Sequence, residues 1–204
     1  ALARQRGEIL TDQAGPPRWG NRLTRTCARF LLNLAGWSFD GELPRQPKMV
    51  IVVAPHTSNW DFILGILAIF ALGIRAHWIG KHTIFKPPLG RLMIWLGCIP
   101  VNRSVPNDLV NATTEKFEQD DKLLIGIAPE GTRSRVESWK KGFYRIASGA
   151  GVPILCAALD YRQRNISFGP LLMPSGDFDH DFVQIRNFYA DKSARHPEKF
   201  HLPE

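Results

Sequence analysis

Two residues whose types and spacing can do chemistry stand close together, His56 and Asp61, with Thr57-Ser58-Asn59-Trp60 between them. A carboxylate on one imidazole nitrogen fixes the tautomer and leaves the other nitrogen free to take a proton, which is general-base chemistry. Each residue also has an ordinary reading. A loop histidine can serve only its loop, and an aspartate in the first turn of a helix complements the macrodipole. A second constellation is the polar loop 129–134, Pro129-Glu130-Gly131-Thr132-Arg133-Ser134. Gly131 lets the backbone turn tightly and present its N–H groups. Arg133 adds a planar fork suited to phosphate or carboxylate, and Thr132 and Ser134 add hydroxyls. Arg103 offers a second fork. The loop suits an oxyanion; the competing reading is a Glu130–Arg133 salt bridge that closes a turn.

No Gly-x-Ser-x-Gly elbow is present in the chain. Cys98 lies in an apolar strand context and reads as a small buried hydrophobe rather than a nucleophile. A His–Asp pair without a protein nucleophile activates a hydroxyl that the substrate brings. Phosphate on Arg103 and Arg133 with a hydroxyl on His56 would fit an alcohol that attacks an activated acyl donor, and the product is an ester.

The elements that must position these groups follow from pattern. The apolar run 49–54 reads as a buried strand that Pro55 ends. Ser58 or Asn59 caps a helix over 60–72, so His56 sits at the strand-to-helix corner. Further strands are expected at 77–80, 97–103, 122–128, 152–159 and 166–173, and helices at 89–96, 107–119, 142–150 and 181–192. Gly36 and the Asp40-Gly41 turn close the segment before them. The alternation predicts an α/β single domain with a largely parallel central sheet flanked by helices. Ligands of such sheets bind at the strands' carboxyl ends. His56, Arg103 and Glu130 each follow a strand at that end.

The chain has 204 residues, ordinary globular composition (44% hydrophobic, 22% charged) and a formal net charge of +7. A basic chain favours an anionic partner: a membrane surface, a coenzyme-type ligand or nucleic acid. Cys27, Cys98 and Cys156 are odd in number and in no metal-ligand spacing, which reads as thiols in a reducing compartment. The polar first twenty residues do not read as a secretory signal, and the apolar stretch 62–74 is too short to span a bilayer. Residues 1–16 read as a flexible leader. Over 18–34, Trp19, Leu23, Cys27, Phe30, Leu31 and Leu34 share one helical face, and Arg18, Arg22, Arg25 and Arg29 form another stripe. This N-terminal amphipathic helix either meets an anionic membrane or packs on the domain with a solvated arginine face. Residues 1–40 are therefore set apart as leader plus membrane-facing helix, and 41–204 as the domain that carries the chemistry.

The motifs resemble those of the glycerolipid acyltransferase family, which contains 1-acylglycerol-3-phosphate and lysophospholipid acyltransferases. His56 to Asp61 resembles the family's His-x4-Asp motif. Ile99-Pro100-Val101-Asn102-Arg103 resembles the second, Pro129 to Ser134 the third, and Gly151-Val152-Pro153-Ile154 the fourth. All four stand in the family's order over roughly residues 49–160. The resemblance implies His56 as general base and Asp61 as its orienting partner. It implies Arg103, Glu130, Gly131, Thr132 and Arg133 as acceptor-binding residues, and Val152, Pro153, Ile154 and Lys141 in the acyl-donor or acyl-chain region. The donor would be acyl-CoA or acyl-carrier protein as co-substrate and the acceptor a lysophospholipid. No metal, tightly held cofactor or nucleic acid is implied. The expected place is cytoplasmic, peripheral on the inner face of the membrane.

Pro55, Asn102 and Ala128 depart from the Asn, Asp and Phe that many members carry. Trp60 and the tract 139–144 resemble a bacterial branch. Two other classes compete: a membrane-surface or nucleic-acid binding module, which needs no His–Asp corner, and a hydrolase that uses the same histidine on water; a related acyltransferase with a non-glycerophosphate acceptor is a further alternative.

Overall fold

The computed structural model describes residues 15–81, 89–101 and 106–203. Strand β2 (Lys48–Ala54) lies at the centre of the sheet, and Met49, Val50, Val52 and Ala54 are fully buried. A strand covered on both faces has to be apolar at every position rather than at alternate ones, which is why the run is continuous. Its neighbours are β5 (Leu123–Ile127) and β6 (Ile154–Asp160), both parallel to it. Beyond β5 come β3 (His77–Lys81) and the edge strand β4 (Cys98–Val101). Beyond β6 come β7 (Asn165–Leu172) and the edge strand β1 (Ser38–Asp40). Among the described residues the sheet has seven strands in the order β1-β7-β6-β2-β5-β3-β4. Only the β6–β7 pairing is antiparallel. The expected single α/β domain with a largely parallel sheet is therefore observed.

β1 is not among the expected strands; the pattern there shows only Gly36 and the Asp40-Gly41 turn closing the segment. Three residues are too few to show a strand period. They become a strand only because β7 offers them a parallel edge, with Phe39 level with Ile166.

Alternate residues of the central strands feed two cores. Val50, Val52 and Ala54 pack with α4 (Pro106–Gln119), α5 (Gly142–Ala150) and α6 (Phe178–Tyr189) through Phe117, Phe143, Ile146, Ile185 and Tyr189. Met49 and Ile51 face the opposite side. That side is covered by α1 (Arg22–Leu34), α2 (Asn59–Leu72) and α3 (Leu89–Trp95). Cys98 is buried beside Met93 and Leu96, as its apolar context predicts.

Helix boundaries move where side chains cap. Asp177 accepts from the N–H groups of Asp179 and His180, so α6 runs over 178–189 rather than 181–192. α1 begins at Arg22 rather than at 18, because Asn21 and Thr24 form a capping box. The residues before it pair with the end of α2: Arg18 bridges Ile74, and the Trp19 N–H donates to the Gly73 carbonyl at 3.0 Å.

The faces of α1 are used differently from the expectation of a solvated arginine stripe. Ala28 and Leu32 are its buried residues and pack with Leu64, Ala68 and Ala71 of α2. Arg29 donates Nε to the Ala71 carbonyl at 3.0 Å. Arg25 lies against Gly73, where an added Cβ would come within 2.7 Å of its Cδ and Nε. Gly73 ends α2 at φ 65°, a left-handed conformation that favours glycine. Two arginines thus meet the carbonyl end of α2, where cations are favoured. Leu23, Phe30 and Leu34 are 70%, 63% and 74% exposed.

Candidate functional site

The site is built on the corner after β2. Pro55 follows Ala54 through a cis peptide bond. Ser58 caps α2 with its hydroxyl on the Trp60 N–H at 3.2 Å. Asp61, in the first turn, completes a capping box by accepting the Ser58 N–H at 2.7 Å. The same oxygen, Oδ2, accepts the Thr57 N–H at 2.7 Å and lies 3.4 Å from His56 Nδ1. Oδ1 accepts the Tyr161 hydroxyl at 2.6 Å. Asp61 is 3% exposed. Burial pushes its carboxyl up, but hydrogen bonds from His56, Tyr161 and Ser58 outweigh that and hold it below its ordinary range. Asp61 is therefore a carboxylate at neutral pH, directed at Nδ1, and Nε2 is the imidazole nitrogen left for a substrate proton. The 3.4 Å separation is long for a hydrogen bond, as catalytic contacts often are before substrate binds. The His56 side chain is 28% exposed, enough for substrate to reach it.

The register of β2 and β5 sets what stands beside this pair. Val52 is level with Ile127, so the loop after β5 arrives next to the His56 corner. Glu130 is 4% exposed, and its Oε1 accepts the His56 N–H at 2.9 Å. Burial pushes its carboxyl above the ordinary range, partly offset by that N–H. Oε2 is buried and has no hydrogen-bond partner among the described residues. Glu130 thus meets the main chain of the histidine, whereas the resemblance had implied the acceptor. The alternative Glu130–Arg133 salt bridge does not form.

Gly131 turns the loop at φ 66° and donates its N–H to the Ala128 carbonyl. Thr132 and Arg133 are exposed, and the Thr132 hydroxyl accepts the Ser134 N–H at 3.3 Å. Lys140 closes over the loop. Its N–H donates to the Pro129 carbonyl at 2.9 Å, and its Cε and Nζ lie 3.0 Å from where a Cβ on Gly131 would stand. Neither Arg133 nor Lys140 pairs with a carboxylate among the described residues. The loop therefore carries an unneutralised arginine and lysine, suited to an anionic group.

The other expected site residues divide. Lys141, next to Lys140, turns away to α6. Its ammonium is 3.4 Å from Asp179 Oδ1 and 4.1 Å from the centre of the Phe178 ring. Val152, Pro153 and Ile154 are not brought to the histidine. Ile154 is level with Val50, and the four strand residues 51–54, at ~3.3 Å each, together with Pro55 separate that level from His56. Val152 and Ile154 are buried in the core, and the Pro153 carbonyl accepts the Val50 N–H at 3.0 Å. Arg103 lies outside the described residues.

Three residues at the site were not foreseen: Lys140, Tyr161 and Arg195. Tyr161 directly follows β6, at the carboxyl edge where ligand-binding residues gather, so the strand-end rule could have found it. Arg195 lies 5.4 Å from the Trp60 ring and 5.8 Å from the Tyr161 ring, and nothing in its local sequence marks it. Its neighbour His196 donates its N–H to the Thr57 hydroxyl at 3.3 Å. Among the described residues no cluster of three His, Cys, Asp or Glu side chains is arranged to hold a metal ion.

The structure is similar to the crystal structure of the 1-acyl-sn-glycerophosphate (LPA) acyltransferase PlsC from Thermotoga maritima. The TM-score is 0.59 at 17% identity, over 85% of this chain and 81% of that one. At that identity the likeness is one of fold. No curated protein matches the sequence. A family model described as Acyltransferase matches residues 39–160. That span is more than half of the chain and takes in both the corner after β2 and the loop after β5, so the protein belongs to the acyltransferase family.

Proposed function

We propose that the protein moves a fatty acyl group from acyl-CoA or acyl-carrier protein to the free hydroxyl of a lysoglycerophospholipid such as 1-acylglycerol-3-phosphate. The observation that carries this reading is a histidine oriented by a buried carboxylate beside an unneutralised cationic loop. That pairing suits a hydroxyl and a phosphate on one small acceptor. The acceptor named for the Thermotoga maritima relative has both.

His56 Nε2 takes the acceptor's hydroxyl proton as that oxygen attacks the thioester carbonyl. The new C–O bond forms, the C–S bond breaks, and the departing thiolate takes the proton from the imidazolium. Asp61 stabilises the imidazolium while it exists. Arg133 and Lys140 attract the acceptor phosphate, with Arg103 added on the family resemblance. Glu130 holds the His56 main chain in place rather than touching the acceptor.

The exposed Leu23, Phe30 and Leu34 of α1, with Leu92 and Trp95 of α3, form the membrane-facing part of this reading. An enzyme whose acceptor is a lipid then rests on an anionic membrane, peripheral on its cytoplasmic face, with residues 41–204 carrying the chemistry. Among the described residues no helix is long and apolar enough to cross a membrane.

Thiol release from palmitoyl-CoA, with and without lysophosphatidic acid, tests the proposal in wild type beside His56→Ala. Acceptor-dependent release that the variant loses supports it. Release that ignores the acceptor identifies a hydrolase. No release with several lyso-acceptors and either donor overturns the proposal.

A further inference from the structure

We infer that Tyr161 is a positioning residue whose hydroxyl locks the Asp61 carboxylate against His56, so that the unit at the end of β2 is His56–Asp61–Tyr161. The inference rests on the reading of His56 as general base.

The first argument is the tally of donors on Asp61. Oδ2 receives the Thr57 and Ser58 N–H groups and faces His56, whereas among the described residues Oδ1 receives Tyr161 alone. A carboxylate held on one oxygen can rotate about its Cβ–Cγ bond, and a donor on each oxygen fixes its plane. The plane matters because Nδ1 approaches from one direction. At 2.6 Å the phenol contact has the length of a charge-assisted O–H···O⁻ bond.

The second argument is that Tyr161 is itself held. Its N–H donates to the Ser193 carbonyl at 2.8 Å, and its ring packs edge-on against Trp37 at 5.0 Å between centroids. Burial and the Asp61 carboxylate push the phenol pKa well up, so it stays a donor over any working pH. The tyrosine stands 100 residues from Asp61 and one residue past the span that the family model matches.

The test replaces Tyr161 by Phe, which keeps the ring on Trp37 and removes only the donor. The titration of the His56 imidazole is followed by NMR, its signal assigned by its loss in His56→Gln. The charged and titratable groups around the unit are the Glu130 carboxylate on the His56 N–H, Arg195 over the Tyr161 ring, and His196 with Glu198 on the Thr57 side. All are retained in the variant. Without the phenol the carboxylate is free to turn away from Nδ1, and the imidazolium is favoured less.

The expected result is a fall of the His56 titration midpoint in the variant relative to wild type. The acid limb of kcat should move down with it. At neutral pH kcat should fall on the order of tenfold, with the acceptor KM changed by less than about twofold. A 3-fluorotyrosine at 161 is a stronger donor of nearly the same size and should move His56 the other way. A His56 titration unmoved in both, with only the melting temperature changed, would overturn the inference. So would an equal shift in Trp37→Leu, which loosens the ring and keeps the hydroxyl. The NMR readout needs no turnover. A moved His56 without acyl transfer counts against the proposed reaction, and acyl transfer with an unmoved His56 counts against Tyr161.

Discussion

The two faces of the sheet are finished differently. Under α4, α5 and α6 the large side chains close on one another: Phe117, Phe143, Ile146, Ile185 and Tyr189 are all but fully buried. The Tyr189 hydroxyl even finds the Val52 carbonyl, at 2.8 Å. Under α1, α2 and α3 the outer surface stays apolar, with Leu23, Phe30, Leu34, Trp60, Leu92 and Trp95 exposed. Asp61 belongs to a helix of this second side. One face is closed by large buried side chains; the other keeps the helix of Asp61 and an apolar surface next to each other. Stability and chemistry should therefore respond to different residues.

The largest separation of the two is expected from His56→Ala. Turnover should fall about 10²–10⁴-fold with little change in unfolding midpoint, and a variant with wild-type turnover would remove the histidine from the mechanism. The opposite dissociation is expected from Phe143→Ala on the closed face. It should cost ~3–5 kcal/mol in chemical denaturation and act on turnover only through the folded fraction. A loss below ~1 kcal/mol would mean that this core is not the tightly packed one described.

Arg133→Ala sharpens the comparison at the mouth of the site. The acceptor KM should rise on the order of tenfold, the scale of one charge-assisted hydrogen bond, with kcat nearly kept. An unchanged KM would take the loop out of acceptor binding. On the open face, Phe30→Ser should change stability by less than about 0.5 kcal/mol. It should also weaken co-sedimentation with anionic vesicles, and undiminished sedimentation would detach α1 from membrane binding.

The smallest effects are in pH. Asp61 is held below its ordinary range, so it contributes stability above its unfolded value of about 3.9, lost as pH falls through the folded one. Glu130 is pushed up, so the folded state binds its proton more tightly. Stability should then fall as pH rises from the unfolded value through the raised one. Denaturation across pH in Asp61→Asn and Glu130→Gln should flatten these two slopes separately. A single slope lost in both variants would contradict the opposite shifts.

How far the site was legible depends on how local each part is. The His56–Asp61 corner lies within one capping box, and the caps and strand run that build it are adjacent in sequence. The 129–134 turn is local in the same way. Lys140 and Lys141 are equivalent as sequence, and only the path of the chain between the loop and α5 directs one to Gly131 and the other to Asp179. The fourth motif was legible as a strand start, but which end of the sheet it occupies follows from parallel register.

Local pattern alone was enough for the α/β class, the buried β2, the capped α2 and the His56–Asp61 pair at the corner where it begins. Apolar period, Ser58 and Asp61 act over a few residues, and no distant contact is needed to state them. Only the tertiary structure decided which face of α1 packs, that 38–40 is a strand, that Glu130 serves the His56 main chain, and that Tyr161 reaches Asp61. Each of these depends on contacts between distant elements, and strand order and register bring residues 74 and 100 positions apart within hydrogen-bond distance. A local pattern carries no record of such neighbours, because the free energy that selects them is gained only when the whole sheet closes.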